Sequence, residues 1–266
     1  MSALAHIEHL VSVAAPYWAG EAEVVRTYWT SPVRSRDTDL RWLARQCFKE
    51  FWGSGVSKHD RGGVFLGVLK SLVAKTPDID VTFDRHEVLD VLEGLKAEFS
   101  HYCAFADIYD ELRPAGTPRL NPTMIESWPE EDALTAIRYR HQDQHGAIGM
   151  RACKFTEGGY CTLFSAGMAL RGKGGIEEKI ATACSFVFDD EFGHMLGGIA
   201  GIAKEGLTDA DWRLLETLVV EQLRQRIIMR NAQFSNPLPD ARIQAIYRGD
   251  IEPLAFDYER AGLKAA

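Results

Sequence analysis

Apolar residues recur at intervals of three and four positions along most of the chain, whereas strict alternation of apolar and polar residues is nearly absent. This pattern predicts an all-α protein. The predicted helices cover, in chain order, residues 2–14, 20–30, 38–75, 84–111, 131–142, 146–171, 177–204 and 208–230, with one short helical stretch near the C-terminal end. The third of these segments is expected to be interrupted or kinked at Gly53-Ser54-Gly55 and to stop before Pro77.

The longest predicted connection spans about residues 113–130 and contains four prolines. Its length suits a crossover between distant helix ends better than a tight antiparallel turn. No linker is long enough to require a second domain, so residues 1–266 are predicted to form a single helical domain.

Composition narrows the class of protein further. Hydrophobic residues make up 46% of the chain and charged residues 26%, as in ordinary globular proteins. The net charge of −8 disfavours nucleic acid as a partner, since phosphate binding needs a concentrated basic face. No apolar run reaches the roughly 20 residues that span a bilayer, and the first residues lack the basic start of a secretory signal, so a cytoplasmic protein is expected. The five cysteines are scattered without a C-x-x-C pair, which indicates reduced thiols.

Two tetrapeptides carry the candidate chemistry: Glu98-Phe99-Ser100-His101 and Glu191-Phe192-Gly193-His194. Each places a carboxylate and an imidazole three residues apart on one helical face, where both can bind one metal ion. Both pairs share their face with apolar residues, and polar groups on a core face are costly unless a partner satisfies them. The recurrence of the same pair in both halves of the chain favours metal binding over two unrelated surface pairs.

Two divalent ions bound by two neutral histidines need about four carboxylates for charge balance, so the preceding helices should each supply one. Glu157 is predicted to supply it in the second half, because it lies about as far before the turn at Gly172 as Glu191 lies after it. The same distance rule selects Asp60 in the first half, if the helix is continuous through Gly55. Glu50 remains the alternative, since it is the more usual ligand type.

In these residues, the chain resembles the ferritin-like di-iron carboxylate proteins over about residues 57–203. The order carboxylate, E-x-x-H, carboxylate, D-E-x-x-H matches their motif, with Asp60 departing from the usual Glu. The resemblance implies a four-helix bundle with a long crossover between its second and third helices and additional helices at both ends of the chain. It implies metal ligation by Asp60, Glu98, His101, Glu157, Glu191 and His194.

The predicted function is that of a non-haem di-iron oxygenase or oxidase, which uses two iron ions and O₂ to oxidise a small organic substrate. Mixed nitrogen and oxygen ligation suits iron or manganese, so a manganese or mixed Mn/Fe centre stays open, as do an external electron donor and a homodimer. The reaction could be hydroxylation, N-oxygenation, desaturation or C–C cleavage. The alternatives are a ferritin-like iron-handling protein without organic substrate and a metal-free helical binding protein.

Three further features bear on the candidate site. Asp189-Asp190 contains a candidate carboxylate for orienting a metal-bound histidine. The glycines beside the motifs, including Gly158, Gly159, Gly193, Gly197 and Gly198, either allow close helix packing or leave space beside the metals. The tail from about residue 231 is too apolar for a free extension and is expected to cover one end of the bundle.

Overall fold

The computed structural model describes residues 2–56 and 63–263, and this part of the chain contains α-helices and short 3₁₀ turns but no β-strand. The all-α prediction is therefore confirmed for these residues. The α-helices are α1 (Ala3–Thr30), α2 (Arg36–Trp52), α3 (Val64–Lys75), α4 (Arg85–Leu112), α5 (Pro129–Phe155), α6 (Thr162–Met168), α7 (Gly175–Gly201), α8 (Asp209–Gln233) and α9 (Asp240–Tyr247). None of them is both long enough and apolar enough to cross a membrane.

Helix α1 is one continuous helix, whereas the sequence analysis predicted two. Pro16 lies inside it, where proline removes one backbone hydrogen bond. The residues on either side of Pro16 are buried, among them Ala15 and Trp18, so packing against the core compensates for the lost bond. The prediction of a break at Pro16 was wrong because burial of the neighbouring residues outweighs the tendency of proline to end a helix.

Helix α2 ends at Gly53, whose φ of 74° breaks the helical path. The predicted interruption near Gly53 is confirmed, but a helix continuous through Gly55 is wrong, because α3 begins only at Val64. The distance rule that selected Asp60 over Glu50 therefore loses its basis. Asp60 itself lies outside the described residues.

The region around Glu157 also departs from the prediction of one helix over 146–171. Helix α5 is divided at Gly146, whose φ and ψ are 53° and −119°, at the position where the sequence analysis separated two helices. Glu157 then opens a 3₁₀ turn, and the next four residues, 158–161, all have φ between 50° and 62°. Such a run of left-handed conformations cannot continue an α-helix, so α6 begins only at Thr162. Glu157 is thus carried by a tight turn between two helices.

Side-chain caps support the starts of two of the long helices. The Asp84 side chain accepts a hydrogen bond from the His86 backbone N–H at the start of α4. Thr208 and Asp211 form a reciprocal capping box at the start of α8, and Glu177 and Glu178 occupy the first turn of α7.

The core is built around helices that the sequence analysis had placed outside the bundle. Helix α1 packs along α8 and α6, α2 along α4, α4 and α6 along α7, and α5 along α8. Apolar residues of α1 and α8, such as Trp18 and Ile227, are fully buried within the main core. Both flanking helices and α2 therefore belong to the same core as α4 to α7.

The C-terminal tail docks on the core as predicted. Ile243 and Ile246 of α9 are buried, and the Leu254 backbone N–H donates to the carbonyl of Ala15 on α1. Further along, the Phe256 ring contacts the rings of Trp18 and Tyr160, which also stack on each other.

Candidate metal centre

Three helices bring five acidic and histidine side chains to one place in the fold. Helix α2 contributes Glu50 from its last turn, α4 contributes Glu98 and His101, and α7 contributes Asp190 and Glu191. One potential ligand atom from each of Glu50, Glu98 and His101 lies within 4.8 Å of the others, and the same holds for His101, Asp190 and Glu191. His101 therefore joins two ligand groups into one cluster.

His101 is the most deeply buried member of the cluster, with a solvent exposure of 0%. Its Nδ1 lies 3.8 Å from Glu50 Oε2 and 3.6 Å from Glu191 Oε1. Its Nε2 lies 2.9 Å from Asp190 Oδ2, but the oxygen is off the direction of the ring N–H, so neither ring nitrogen has a hydrogen bond of good geometry. The Nδ1 atom lies beyond hydrogen-bond distance of both glutamates, as is expected where a further partner completes the site.

The contact between Asp190 and His101 agrees with the role expected for Asp189-Asp190. When a histidine binds a metal through one ring nitrogen, its other N–H usually meets a carboxylate that fixes the ring orientation and the tautomer. Asp190 stands in that position at Nε2, which leaves Nδ1 directed toward Glu50 and Glu191. Asp189 is exposed.

The carboxylates of the cluster are crowded and poorly hydrated. Burial raises the pKa of Glu50 to about 7, with a further increase from the Glu191 charge, while a hydrogen bond from Gln46 opposes the rise. Burial and the neighbouring charge of Glu157 raise the pKa of Glu191 to about 7. Burial also lowers the pKa of His101, against the opposing charge of Asp190. The metal-free site therefore disfavours charged side chains, and a cation would relieve that cost.

The distances fit a shared cation. Two donor atoms that each lie about 2.1 Å from one ion are separated by about 3.0 Å at a right angle and about 4.2 Å when opposite each other. The separations of 3.6 and 3.8 Å between His101 Nδ1 and the two glutamates fall between these limits. Oxygen and imidazole donors together suit iron, manganese or zinc better than a thiolate-seeking ion.

The structure brings together three of the six ligands predicted from sequence, Glu98, His101 and Glu191, and adds Glu50, the alternative to Asp60. Glu157 and His194 lie close enough to Glu191 to affect its pKa. Within residues 2–56 and 63–263, however, these two do not join a group of three ligand atoms at metal-binding spacing. The described residues thus assemble one group of potential ligands around His101, and Glu157 and His194 lie outside it.

The glycines of α7 leave open space. A Cβ atom built on Gly193, Gly197 or Gly198 would meet no atom within 4 Å, so close helix packing does not explain them. Gly159 differs, because a Cβ there would collide with the side chains of Arg226 and Glu21.

Outside the cluster, His141 is buried and bonded to Glu221 and Gln222. The five cysteines are free thiols, as predicted, and all but Cys103 are buried.

Sequence reasoning missed the polar side chains that support the cluster, above all Gln46. Its position four residues before Glu50 places both side chains on one face of α2, and this spacing was the available signal. Comparison with known proteins assigns no family: no family model matches the chain, and neither the curated proteins nor the solved structures contain a significant match.

Proposed function

We propose that the protein is a non-haem iron enzyme that uses O₂ to oxidise a small organic molecule at a carboxylate- and histidine-bound metal centre. The observation that carries this proposal is the buried His101, with Asp190 at one ring nitrogen and two carboxylates facing the other. This is the arrangement in which a second carboxylate orients a metal-binding imidazole.

In the proposed centre, Glu50, Glu98, His101 and Glu191 hold the first metal ion. Glu191, Glu157 and His194 would hold a second one after adjustment of the turn at residues 157–161. Four glutamates then balance the charge of two divalent ions, which is the composition expected from the resemblance to di-iron carboxylate proteins. Glu50 takes the place that the sequence analysis gave to Asp60.

Each side chain has a separate task. Asp190 keeps His101 in the tautomer that presents Nδ1, and Gln46 donates to Glu50 Oε1 so that Oε2 faces the cluster. The two glutamates with raised pKa values lose protons when a cation arrives, so binding is coupled to proton release. Ferrous iron held at this centre would supply electrons for the reduction of O₂.

A substrate has room beside the centre. A groove of about 430 Å³ runs between α4 and α7, with Ala104, Ile108 and Ala183 among its apolar lining residues. Its volume is within the range of small-molecule sites. Phe186 lines this groove and also contacts the His101 ring edge-on, with ring centroids 5.7 Å apart, so the groove borders the proposed centre.

The decisive experiment is anaerobic loading of the purified protein with Fe(II), followed by metal analysis, Mössbauer spectroscopy and exposure to O₂. About two irons per chain with a magnetically coupled signature would support the proposal, and an oxidised organic product would separate an enzyme from an iron-handling protein. The variant Glu98→Gln should lose iron, whereas Glu93→Gln, on an exposed position of the same helix, should keep it. Failure of the wild-type protein to retain any iron or manganese would refute the proposal.

A further inference from the structure

A line of buried polar side chains connects the proposed centre to residues of α8 and α1. Gln46 Nε2 donates to Glu50 Oε1 over 2.5 Å, and Gln46 Oε1 accepts from Gln233 Nε2 over 3.0 Å. Gln233 Oε1 in turn accepts a hydrogen bond from Arg230. The two glutamines and the arginine are each at most 3% exposed, so water does not interrupt the chain.

At its far end, this hydrogen-bond network joins a buried ion cluster formed by Glu21, Arg226 and Arg230. Arg226 grips the Glu21 carboxylate with two hydrogen bonds of 2.7 and 3.1 Å, and Arg230 donates to the same carboxylate over 2.9 Å. Burial by itself would raise the pKa of Glu21, but the two guanidinium groups outweigh burial and lower it. Glu21 therefore stays ionised beside the two arginines inside the core.

The groups at the two ends of this hydrogen-bond network, Arg230 and Glu50, determine the orientation of the Gln233 and Gln46 side-chain amides. Arginine can only donate hydrogen bonds, so Gln233 must present its oxygen to Arg230 and its NH₂ group to Gln46. Gln46 must then present its NH₂ group to Glu50, whose carboxylate accepts. All donors in this hydrogen-bond network therefore point toward Glu50, and each bond polarises the next one in that direction.

The same ion cluster also touches the turn that carries Glu157. Gly159, two residues after Glu157, packs so tightly on the Glu21 and Arg226 side chains that a Cβ atom would overlap them. One cluster is thus in contact with both carriers of candidate ligands: with Glu50 through the two glutamines, and with Glu157 through Gly159.

We propose that Gln46, Gln233 and the Glu21–Arg226–Arg230 cluster are the positioning residues of the metal centre, which set the Glu50 carboxylate and the Glu157 turn relative to each other. This inference rests on the proposed function, since it assigns a role toward the same centre. A network with a purely structural role has no reason to end on a candidate metal ligand, whereas partners of metal ligands typically affect metal affinity 10–100-fold.

The first test measures metal binding in variants that interrupt the hydrogen-bond network at its two glutamines and leave the ion cluster intact. Gln46→Met and Gln233→Met should each lower the affinity for the ion at Glu50 by about 10–100-fold in anaerobic Co(II) titrations, with a changed visible absorption spectrum of bound Co(II). The double variant should be no weaker than either single one, because both substitutions break the same connection. Gln225→Met, at a half-buried glutamine of α8 outside the chain, is the matched control.

The second test addresses the ion cluster itself. Glu21→Gln should weaken binding of both ions. Glu23→Gln, on the same helix as Glu21, removes a partly exposed ion pair to Arg242 of α9 and should change neither affinity. If Glu21→Gln fails to fold, the glutamine variants still decide the proposal. Wild-type Co(II) affinity and spectrum in the two single glutamine variants would overturn it.

A third measurement does not need metal. In the metal-free protein, Gln233→Met should shift the side-chain NH₂ resonances of Gln46, and Gln225→Met should leave them unchanged. An unshifted Gln46 signal would overturn the chain whatever the metal titrations show. If the wild-type protein binds no metal while this shift is present, the proposed function fails but the buried connection stands, so the two failures are distinguishable.

Discussion

Replacing Glu50 with glutamine should have opposite effects on the metal-free protein and on metal binding. Glu50 is 8% exposed, and its burial raises its pKa from 4.5 to about 7. Folding therefore disfavours the charged form of this side chain. Glutamine has nearly the same shape, carries no charge and can still accept the hydrogen bond from Gln46.

The size of the effect follows from the difference between the two pKa values. A shift of about 2.5 units at about 1.36 kcal/mol per unit corresponds to about 3 kcal/mol at neutral pH and above. Because the folded-state pKa is the higher one, this penalty is absent below about pH 4.5 and grows as pH rises toward 7. Glu50→Gln should thus stabilise the metal-free protein by up to about 3 kcal/mol at pH 8 and have little effect at pH 4.

Metal reverses the order of stability. A ligand at 1,000 times its dissociation constant stabilises the native state by about 4.1 kcal/mol, which exceeds the penalty of about 3 kcal/mol at Glu50. The wild-type protein should gain stability of this order when Mn(II) or anaerobic Fe(II) is added, whereas Glu50→Gln should gain much less. The free energy of unfolding would be measured by urea denaturation between pH 4 and 8, with a chelator and then with metal.

Glu93→Gln is the control, because it removes the same charge from an exposed position. It should respond to metal as the wild-type protein does and show no comparable pH-dependent stabilisation. Two results would refute the reasoning: a Glu50→Gln protein that is less stable than wild type at pH 8 without metal, or one that retains the full metal response.

Three further predictions concern the surroundings of the centre. Asp190→Asn should lower metal affinity by about 10–100-fold in a Co(II) titration, and Asp189→Asn, at the exposed neighbouring position, should not; equal effects would contradict the role of Asp190 at His101. Gly158→Ala and Gly159→Ala both force alanine into a left-handed conformation that costs about 1–2 kcal/mol, but only Gly159→Ala also displaces the ion cluster, so urea denaturation should show the larger loss for Gly159→Ala. Phe256→Ala should lower the free energy of unfolding by about 1–3 kcal/mol, at about 0.5–1.5 kcal/mol for each of its two stacked partners. In the iron-loaded protein, it should increase O₂ consumption without product. Unchanged stability in thermal unfolding would show that the tail does not dock as described.

The helical architecture and the central part of the candidate site are encoded in local patterns. The spacing of apolar residues predicted the helices, and Asp84 and Thr208 marked two helix starts correctly, because periodicity and capping depend on neighbours within one turn. The E-x-x-H spacing likewise placed Glu98 and His101 on one helical face. The oxidation chemistry stays a prediction.

Only the tertiary structure showed that Glu50 lies within reach of His101. The choice between Asp60 and Glu50 depended on where α2 ends, and Gly53 ends it at a point from which Glu50 faces α4 and α7. Around Glu157, a run of left-handed residues replaced the expected helix, which the apolar pattern alone did not indicate. The chain from Glu50 through Gln46 and Gln233 to the ion cluster joins residues nearly 190 positions apart in sequence. Such contacts arise from the packing of whole helices against one another, and no short-range pattern in the sequence records that packing.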